Sequence, residues 1–172
     1  MPDQEEQEPL ALDTSVLLNF VNVRRIDLLG KLDRQVVVPG EVLEEVTRPQ
    51  QRRAVVDAVR ADVLQVEHLT DPEELALFAD LQDSGRLGAG ECSVLALAGS
   101  RGWPAVIQDR KARAVGRDRF PEIEIWQTED VVIRLIRAKH LTVAQADALL
   151  VEWRKRHRFS SPLDTFEHSS IL

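Results

Sequence analysis

The chain reads as a single α/β domain built on a five-stranded, mainly parallel sheet. Two observations predict this. Short apolar runs alternate with segments of helical periodicity along the chain, the pattern of parallel strands joined by helices. The 172 residues carry no internal repeat and no low-complexity linker, a length that fits one domain with a sizeable core.

Residues 1–8 read as an acidic flexible tail, the domain as residues 9–160, and residues 161–172 as an irregular C-terminal tail. Leu10-Ala11-Leu12 is the first strand, ending in Asp13. A helix follows with apolar spacing through Phe20 and on to Leu32. Asp13 or Thr14 suits its N-cap, the usual explanation for an isolated Asp at such a place. Val36-Val37-Val38 is the second strand, stopped by Pro39-Gly40. Pro39 suits the start of a helix over Glu41 to Thr47, on which Glu41 and Glu45 share a face. Pro49 opens a further helix, and Val63 to Val66 is bounded like a strand. Asp71-Pro72-Glu73-Glu74 is a helix start, with Asp71 as cap and Glu74 as its box partner.

Leu87-Gly88-Ala89-Gly90-Glu91 leads into an apolar helix. Its glycines permit a sharp turn, and a first-turn carboxylate is favoured by the helix dipole. The glycine spacing is wrong for a phosphate loop, and no Gly-Lys-Ser/Thr follows. Gly99 and Gly102 are expected to break the chain. Pro104 to Gln108 is a strand delivering Asp109, Arg110 to Arg117 a basic helix, and Ile123 to Trp126 the last strand. Glu129 to Lys139 and Thr142 to Arg156 are amphipathic helices, with Thr142 a cap.

The apolar fraction is 44%, the charged fraction 30% and the formal net charge −7. That balance is not the one of a general nucleic-acid binder, whose affinity rests on neutralising phosphates. Two basic clusters, Arg110 to Arg119 and Arg154 to Arg158, stand against it; a basic run of this kind is ordinarily a solvated face. Cys92 is the single cysteine, so no intrachain disulfide forms, as suits a reducing compartment. The acidic N-terminus lacks a secretory pattern and no apolar run approaches the ~20 residues that span a bilayer. The expected location is cytoplasmic, with no membrane partner.

In an open α/β sheet, sites form beyond the C-terminal ends of the strands. Asp13 and Asp109 occupy such ends in this reading, Glu45 follows the second strand, and Glu91 lies on the helix before the fourth. Four carboxylates on one edge repel one another unless a cation compensates. Such hard oxygen ligands suit Mg²⁺ or Mn²⁺, as one or two ions, and paired ions suit phosphodiester hydrolysis.

These residues also carry a family resemblance. Leu12-Asp13-Thr14-Ser15-Val16-Leu17, Val36-Val37-Val38-Pro39-Gly40-Glu41-Val42-Leu43-Glu44-Glu45-Val46, Gly90-Glu91 with Leu95-Ala96-Leu97-Ala98, and Asp109-Arg110-Lys111-Ala112-Arg113 resemble a PIN domain, in particular its VapC-like toxin branch. The resemblance covers nearly all of residues 9–160. It implies a three-layer α/β/α fold and a metal-dependent endoribonuclease acting on single-stranded RNA. Asp13, Glu45, Glu91 and Asp109 match the catalytic, metal-holding acids, with Thr14 and Ser15 as supporting residues. Arg110, Lys111, Arg113 and Arg117 then become candidates for RNA contact. The implied partners are the RNA substrate, a small antitoxin protein and, as one option, a second copy of the chain. Two departures stand out: Gln108 replaces the first of two consecutive Asp residues, and Trp126-Gln127-Thr128 lacks a glycine often found there.

A receiver-type signalling domain is discounted, because Glu67-His68 and Gln127-Thr128 stand where its Asp and Lys belong. A haloacid-dehalogenase-type phosphatase needs an acid where Ser15 stands. The remaining rivals are a PIN-like module that binds RNA or protein without cutting, and a housekeeping RNA-processing nuclease.

Overall fold

The computed structural model describes residues 7–167; most of the expected N-terminal tail, and residues 168–172, lie outside them. Five strands follow in chain order: β1 (Leu10–Leu12), β2 (Val36–Pro39), β3 (Gln65–Glu67), β4 (Ala105–Val106) and β5 (Ile125–Trp126). The α-helices are α1 (Thr14–Asn22), α2 (Gly40–Glu45), α3 (Pro49–Arg60), α4 (Pro72–Asp83), α5 (Ala89–Arg101), α6 (Arg110–Arg119), α7 (Thr128–Arg137) and α8 (Val143–His157). A 3-10 segment, Ile26–Lys31, follows α1.

The strands pair in the order β3-β2-β1-β4-β5, and every pair is parallel. Central β1 sets Ala11 opposite Val37 on one side and Ala105 on the other. Leu10, Ala11 and Leu12 are wholly buried, as a parallel strand covered on both faces must be. The chain builds β2 and β3 to one side of β1, then crosses over to place β4 and β5 on the other. The β1–β4 junction is therefore where the connections reverse direction, the place beside which open α/β sheets form their sites, beyond the C-terminal strand ends.

Helix α5 packs against β1, β2 and β4 and beside α4 and α6, while α1 packs with α3 and α8, and α7 with α8 and β5. The architecture is the three-layer α/β/α sandwich that the resemblance implies. Trp153 of α8 is buried edge-on to Phe20 of α1, centroids 5.7 Å apart. Its indole N–H donates to the Asn19 carbonyl at 2.7 Å, which satisfies the polar end of a large apolar side chain and fixes α8 on α1. Among the described residues no helix is long and apolar enough to cross a membrane.

Several boundaries differ from expectation, each for a local reason. The helix after Asp13 stops at Asn22, because Arg24 takes a left-handed conformation (φ 57°), and the apolar residues beyond it form the 3-10 segment. The helix after β2 ends at Glu45 rather than Thr47. Gly99 does not break the chain: it lies inside α5, which ends only at Gly102 (φ 69°). The capping box of Asp71 and Glu74 is present, as is Thr142 capping Gln145. Beyond α8 the chain is irregular, yet Phe166 is wholly buried and its N–H donates to Asp147 at 2.8 Å. The stretch assigned to a tail from residue 161 thus closes part of the core.

Gly99 is where α5 meets Phe120. A Cβ built there falls 2.5 Å from the Phe120 ring, and that ring is buried. Gly99→Ala is expected to destabilise by about 1–3 kcal/mol, the cost of overpacking a filled core, measured by urea unfolding. Phe120→Leu in the same chain should recover part of the loss.

Candidate active site

Asp13 sits where β1 hands over to α1. It is the N-cap of α1: Oδ1 accepts the Val16 N–H at 2.7 Å. Its Oδ2 accepts the Gln108 N–H at 3.1 Å, from the segment by which β4 leaves the sheet. The residue is 1% exposed. Burial is the main cause that lifts its carboxyl from the ordinary range to about 7; the fields of Glu91 and Glu45 add to it, and the two N–H bonds oppose it.

Glu45, the last residue of α2, reaches across to the start of α5. Its Oε1 accepts the Gly90 N–H at 2.8 Å, and its Oε2 accepts the Thr14 hydroxyl. Glu91, in the first turn of α5, accepts the Gly88 N–H at 3.0 Å through Oε2. Burial raises its pKa, as do the fields of Asp109 and Glu45. Asp109 caps α6, its Oδ1 accepting the N–H groups of Lys111 and Ala112 at 2.8 and 2.9 Å. All four acids are thus held at helix N-termini, those of α1, α5 and α6, whose partial positive charge favours anions.

The glycines have a different task from the one expected. Gly88 and Gly90 do not adopt positive φ; among the described glycines Gly85 and Gly102 do. A Cβ on Gly90 falls 2.6 Å from Glu45 Oε2 and 2.8 Å from Thr14 Oγ1. Gly90 is needed for the close approach of Glu45 to the backbone, not for a turn.

Of the two supporting residues, Thr14 joins the site through Glu45, while Ser15 is exposed and makes no hydrogen bond there. Arg110, Lys111 and Arg117 are exposed on α6. Arg113 is partly buried and folded back, its Nη1 donating to the carbonyls of Ile107 and Gln108. Cys92 is buried, and its thiol is raised to about 11 by burial and the fields of Glu91 and Glu45, so it is no nucleophile.

A polar relay that periodicity did not mark supports Asp13 from behind. Gln108 Oε1 accepts the N–H and the hydroxyl of Thr128 at 3.1 and 2.7 Å. Thr128 Oγ1 accepts from Asn19 Nδ2 at 3.0 Å. Gln108 therefore spends its side chain tying β4 to α7. The missing glycine near Thr128 costs nothing, since Gln127 has ordinary extended dihedrals (φ −117°, ψ 174°).

The donor set is all hard oxygen and mutually repulsive, which fits Mg²⁺ or Mn²⁺ in kind. In arrangement the acids are turned to backbone N–H groups. Among the described residues no three acidic, His or Cys side chains stand close enough together to hold an ion as they are. Among the described residues Glu91 Oε1 and Asp109 Oδ2 accept no hydrogen bond, and they are the oxygens that would take a cation.

Two outcomes follow from this geometry. Asp13 keeps its proton to a higher pH when folded than when unfolded. The contribution of Asp13 to the stability of the metal-free chain is therefore full below about pH 4 and is lost as pH rises through about 7. The loss is on the order of 4 kcal/mol from this group, and Asp13→Asn flattens it in chemical unfolding followed from pH 4 to 8. Gly90→Ala should fold yet displace Glu45, weakening Mn²⁺ binding by roughly 10–100-fold in titration calorimetry. Gly88→Ala, whose Cβ meets nothing closer than 3.8 Å, should bind as the parent does.

A family model for the PIN domain (DUF3368) matches residues 10–164. Among solved structures, the chain is similar to VapBC2 from Rickettsia felis bound to a DNA fragment from their promoter (13% identity, 69% of this chain and 98% of the other, TM-score 0.46). It is also similar to FitAcB from Neisseria gonorrhoeae (13% identity, 70% and 98%, TM-score 0.44). No curated protein matches it. With a family model matched across nearly the whole domain, the chain belongs to the PIN domain family.

Proposed function

We propose that the chain is a divalent-metal-dependent endoribonuclease that hydrolyses phosphodiester bonds of single-stranded RNA. PIN domains are generally nucleases, and the observation that carries the reading here is that Asp13, Glu45, Glu91 and Asp109 are held at helix starts near the C-terminal strand ends. They stand near enough for Glu91 and Glu45 to act on Asp13, and for Asp109 and Glu45 to act on Glu91. Their mutual repulsion, felt at Asp13 and Glu91, calls for a positive group between them. Mg²⁺ or Mn²⁺ bound there would supply Lewis-acid chemistry for the hydrolysis. The chain's own part is to hold that charge and present the substrate. Asp13 and Asp109 are fixed by their capping bonds, Glu45 by Thr14 and Gly90. Arg110 and Lys111, exposed in the first turn of α6 beside Asp109, lie where a backbone phosphate approaches, and Arg117 stands two turns further along. These basic side chains position RNA without reading its sequence.

The toxin role, with a small antitoxin as neutralising partner, rests on the VapC-like motifs and is the narrower part of the proposal. Growth arrest on expression, relieved by the product of the neighbouring reading frame, supports it. Harmless expression of an active nuclease points instead to housekeeping RNA processing. A second reading, a PIN module that binds without cutting, is favoured by one observation: the acids as they stand form no ready ion cage.

Single-turnover cleavage of a labelled RNA pool in Mn²⁺ separates the readings. Asp13→Asn and Glu91→Gln are expected to lose more than the roughly 100-fold that outer contacts of a metal site are worth. Glu44→Gln, an exposed neighbour of Glu45, cuts as the parent does. In Ca²⁺, with chemistry suppressed, Lys111→Ala weakens binding and reduces the salt slope by about 0.7, one phosphate on a single strand. Equal residual cleavage in the parent, Asp13→Asn and Glu91→Gln marks a contaminant and favours the binding module.

A further inference from the structure

At the end of the sheet remote from the acids lies a hollow of about 450 Å³, its wall including Lys31, Asp33, Arg134, Arg137 and His140. Its place follows from the topology. Helix α7 starts at the acidic end, where the Thr128 N–H donates to Gln108, and Arg134 and Arg137 belong to its last turn. Lys31 closes the 3-10 segment, and Asp33 lies on the way from it into β2. The wall sets three permanent cations and a histidine against one carboxylate, on a chain whose formal net charge is −7. The helix dipole explains an Arg in a last turn. It does not explain Lys31, which comes from another element, nor why these groups converge on one hollow.

Arg134 is the group fixed most firmly in advance. Its guanidinium lies 3.6 Å from the centre of the Trp126 ring, and that of Arg34 lies 5.0 Å from it. Stacking sets the plane of an Arg fork before any ligand arrives. Trp126 is itself held: it is buried, and its indole N–H donates to Glu124 Oε2 at 2.8 Å. Arg34 donates to the Gln7 side chain and the Glu8 carbonyl. Among the described residues Arg134 donates to nothing. Its Nε is buried without a partner, and its Nη2 stands 3.7 Å from the same Glu124 oxygen that the indole occupies, beyond hydrogen-bond reach. Lys31 is in a like position, 3.9 Å from Asp27. A stacked guanidinium and an ammonium with unused donors, on the wall of one hollow, make a receptor for an oxyanion.

We propose that this hollow is a second anion site, separate from the acids, that takes a phosphate monoester group on Arg134, Lys31 and Arg137, with His140 as a further donor. Three cations against one carboxylate suit a dianion better than a singly charged ligand, and phosphate matches the Arg fork with paired hydrogen bonds. The volume lies within the roughly 300–1,000 Å³ of small-ligand sites. A second hollow of about 290 Å³ shares Arg134 and Arg137 and has Trp126 in its wall, so a ligand longer than its phosphate has room to extend. The site does not depend on the reading of the acids: it needs no metal, and neither Arg110 nor Lys111 belongs to it.

The test is an NMR titration of the full chain in metal-free buffer with three probes: inorganic phosphate, adenosine 5′-monophosphate and a short 5′-phosphorylated RNA. Saturable shifts are expected at the amides of residues 31–33 and 134–140 and at the Arg134 Nε–H. Arg134→Gln is expected to weaken nucleotide binding about tenfold or more, the worth of one charge-assisted hydrogen bond. Arg134→Lys, which keeps the charge but not the fork, recovers only part of the loss, and Lys31→Gln weakens binding in the same sense. Arg53→Gln, which removes an exposed cation of α3, binds as the parent does. The probes sort the source of the phosphate: equal affinities mean that the group alone is read, tighter binding of the nucleotide points to a free nucleotide, and tighter binding of the RNA to a strand end. Shifts centred on Arg110 and Lys111 instead of the hollow overturn the proposal, as do shifts that fail to saturate with any probe. So does a loss in Arg53→Gln equal to that in Arg134→Gln, the mark of general screening. Should Arg134→Gln fail to fold, Lys31→Gln, at an exposed position, carries the comparison. A chain that cuts no RNA would defeat the nuclease reading and leave these outcomes untouched.

Discussion

One carboxylate ties the sheet to its helices. Asp13 accepts one N–H from α1, which starts that helix, and another from Gln108, which draws in the end of β4. The side chain thereby joins two strands and a helix at the point where the chain connections reverse. Its position is costly in isolation, because burial and two neighbouring acids oppose its charge. The N–H bonds and the dipole of α1 offset part of that cost. The remainder is a standing preference for a cation, or for a proton, beside it.

The other acids obey the same economy. Glu91 and Asp109 cap their own helices, and Glu45 accepts the N–H of Gly90 inside the first turn of α5. Capping and metal holding are often set against each other as explanations for an acid at a helix start. On Glu91 and Asp109 the cap takes one oxygen only, so capping does not compete with the cation proposed above. A cap fixes where the group is, leaving an outward oxygen on Glu91 and Asp109. That division also accounts for the lack of a closed ion cage: a carboxylate satisfied by backbone N–H groups has no need to crowd its like-charged neighbours.

Much of this was legible in the chain itself. Four of the five strands are apolar and short, Asp71-Pro72-Glu73-Glu74 spells its capping box, and Asp13, Glu91 and Asp109 stand at helix starts, Asp13 and Asp109 just after strands. What the sequence hid were relations across distance. The Asn19–Thr128 bond spans 109 residues, and no periodicity announces which polar side chain in an apolar helix has a partner so far away. Gly90 looked like a turn residue because glycine composition does not distinguish positive φ from close approach. Phe166 was assigned to a tail because irregular backbone carries no periodic signal, although it fills the core.

The crossover that puts β4 beside β1 has a consequence for the making of the protein. Asp13 meets Gln108 across 95 residues, and β2 and β3 leave the other flank of β1 open until β4 is in place. During synthesis from the N-terminus, Asp13, Glu45 and even Glu91 are all present on a chain whose central strand still has an exposed edge. Closing so long a loop is an entropic step that few local contacts can prepay. The acidic centre is therefore among the last features to form, and a chain cut short before β4 holds three of the four acids without the strand that aligns them. Alignment of the four acids thus belongs to a chain already extended through β4.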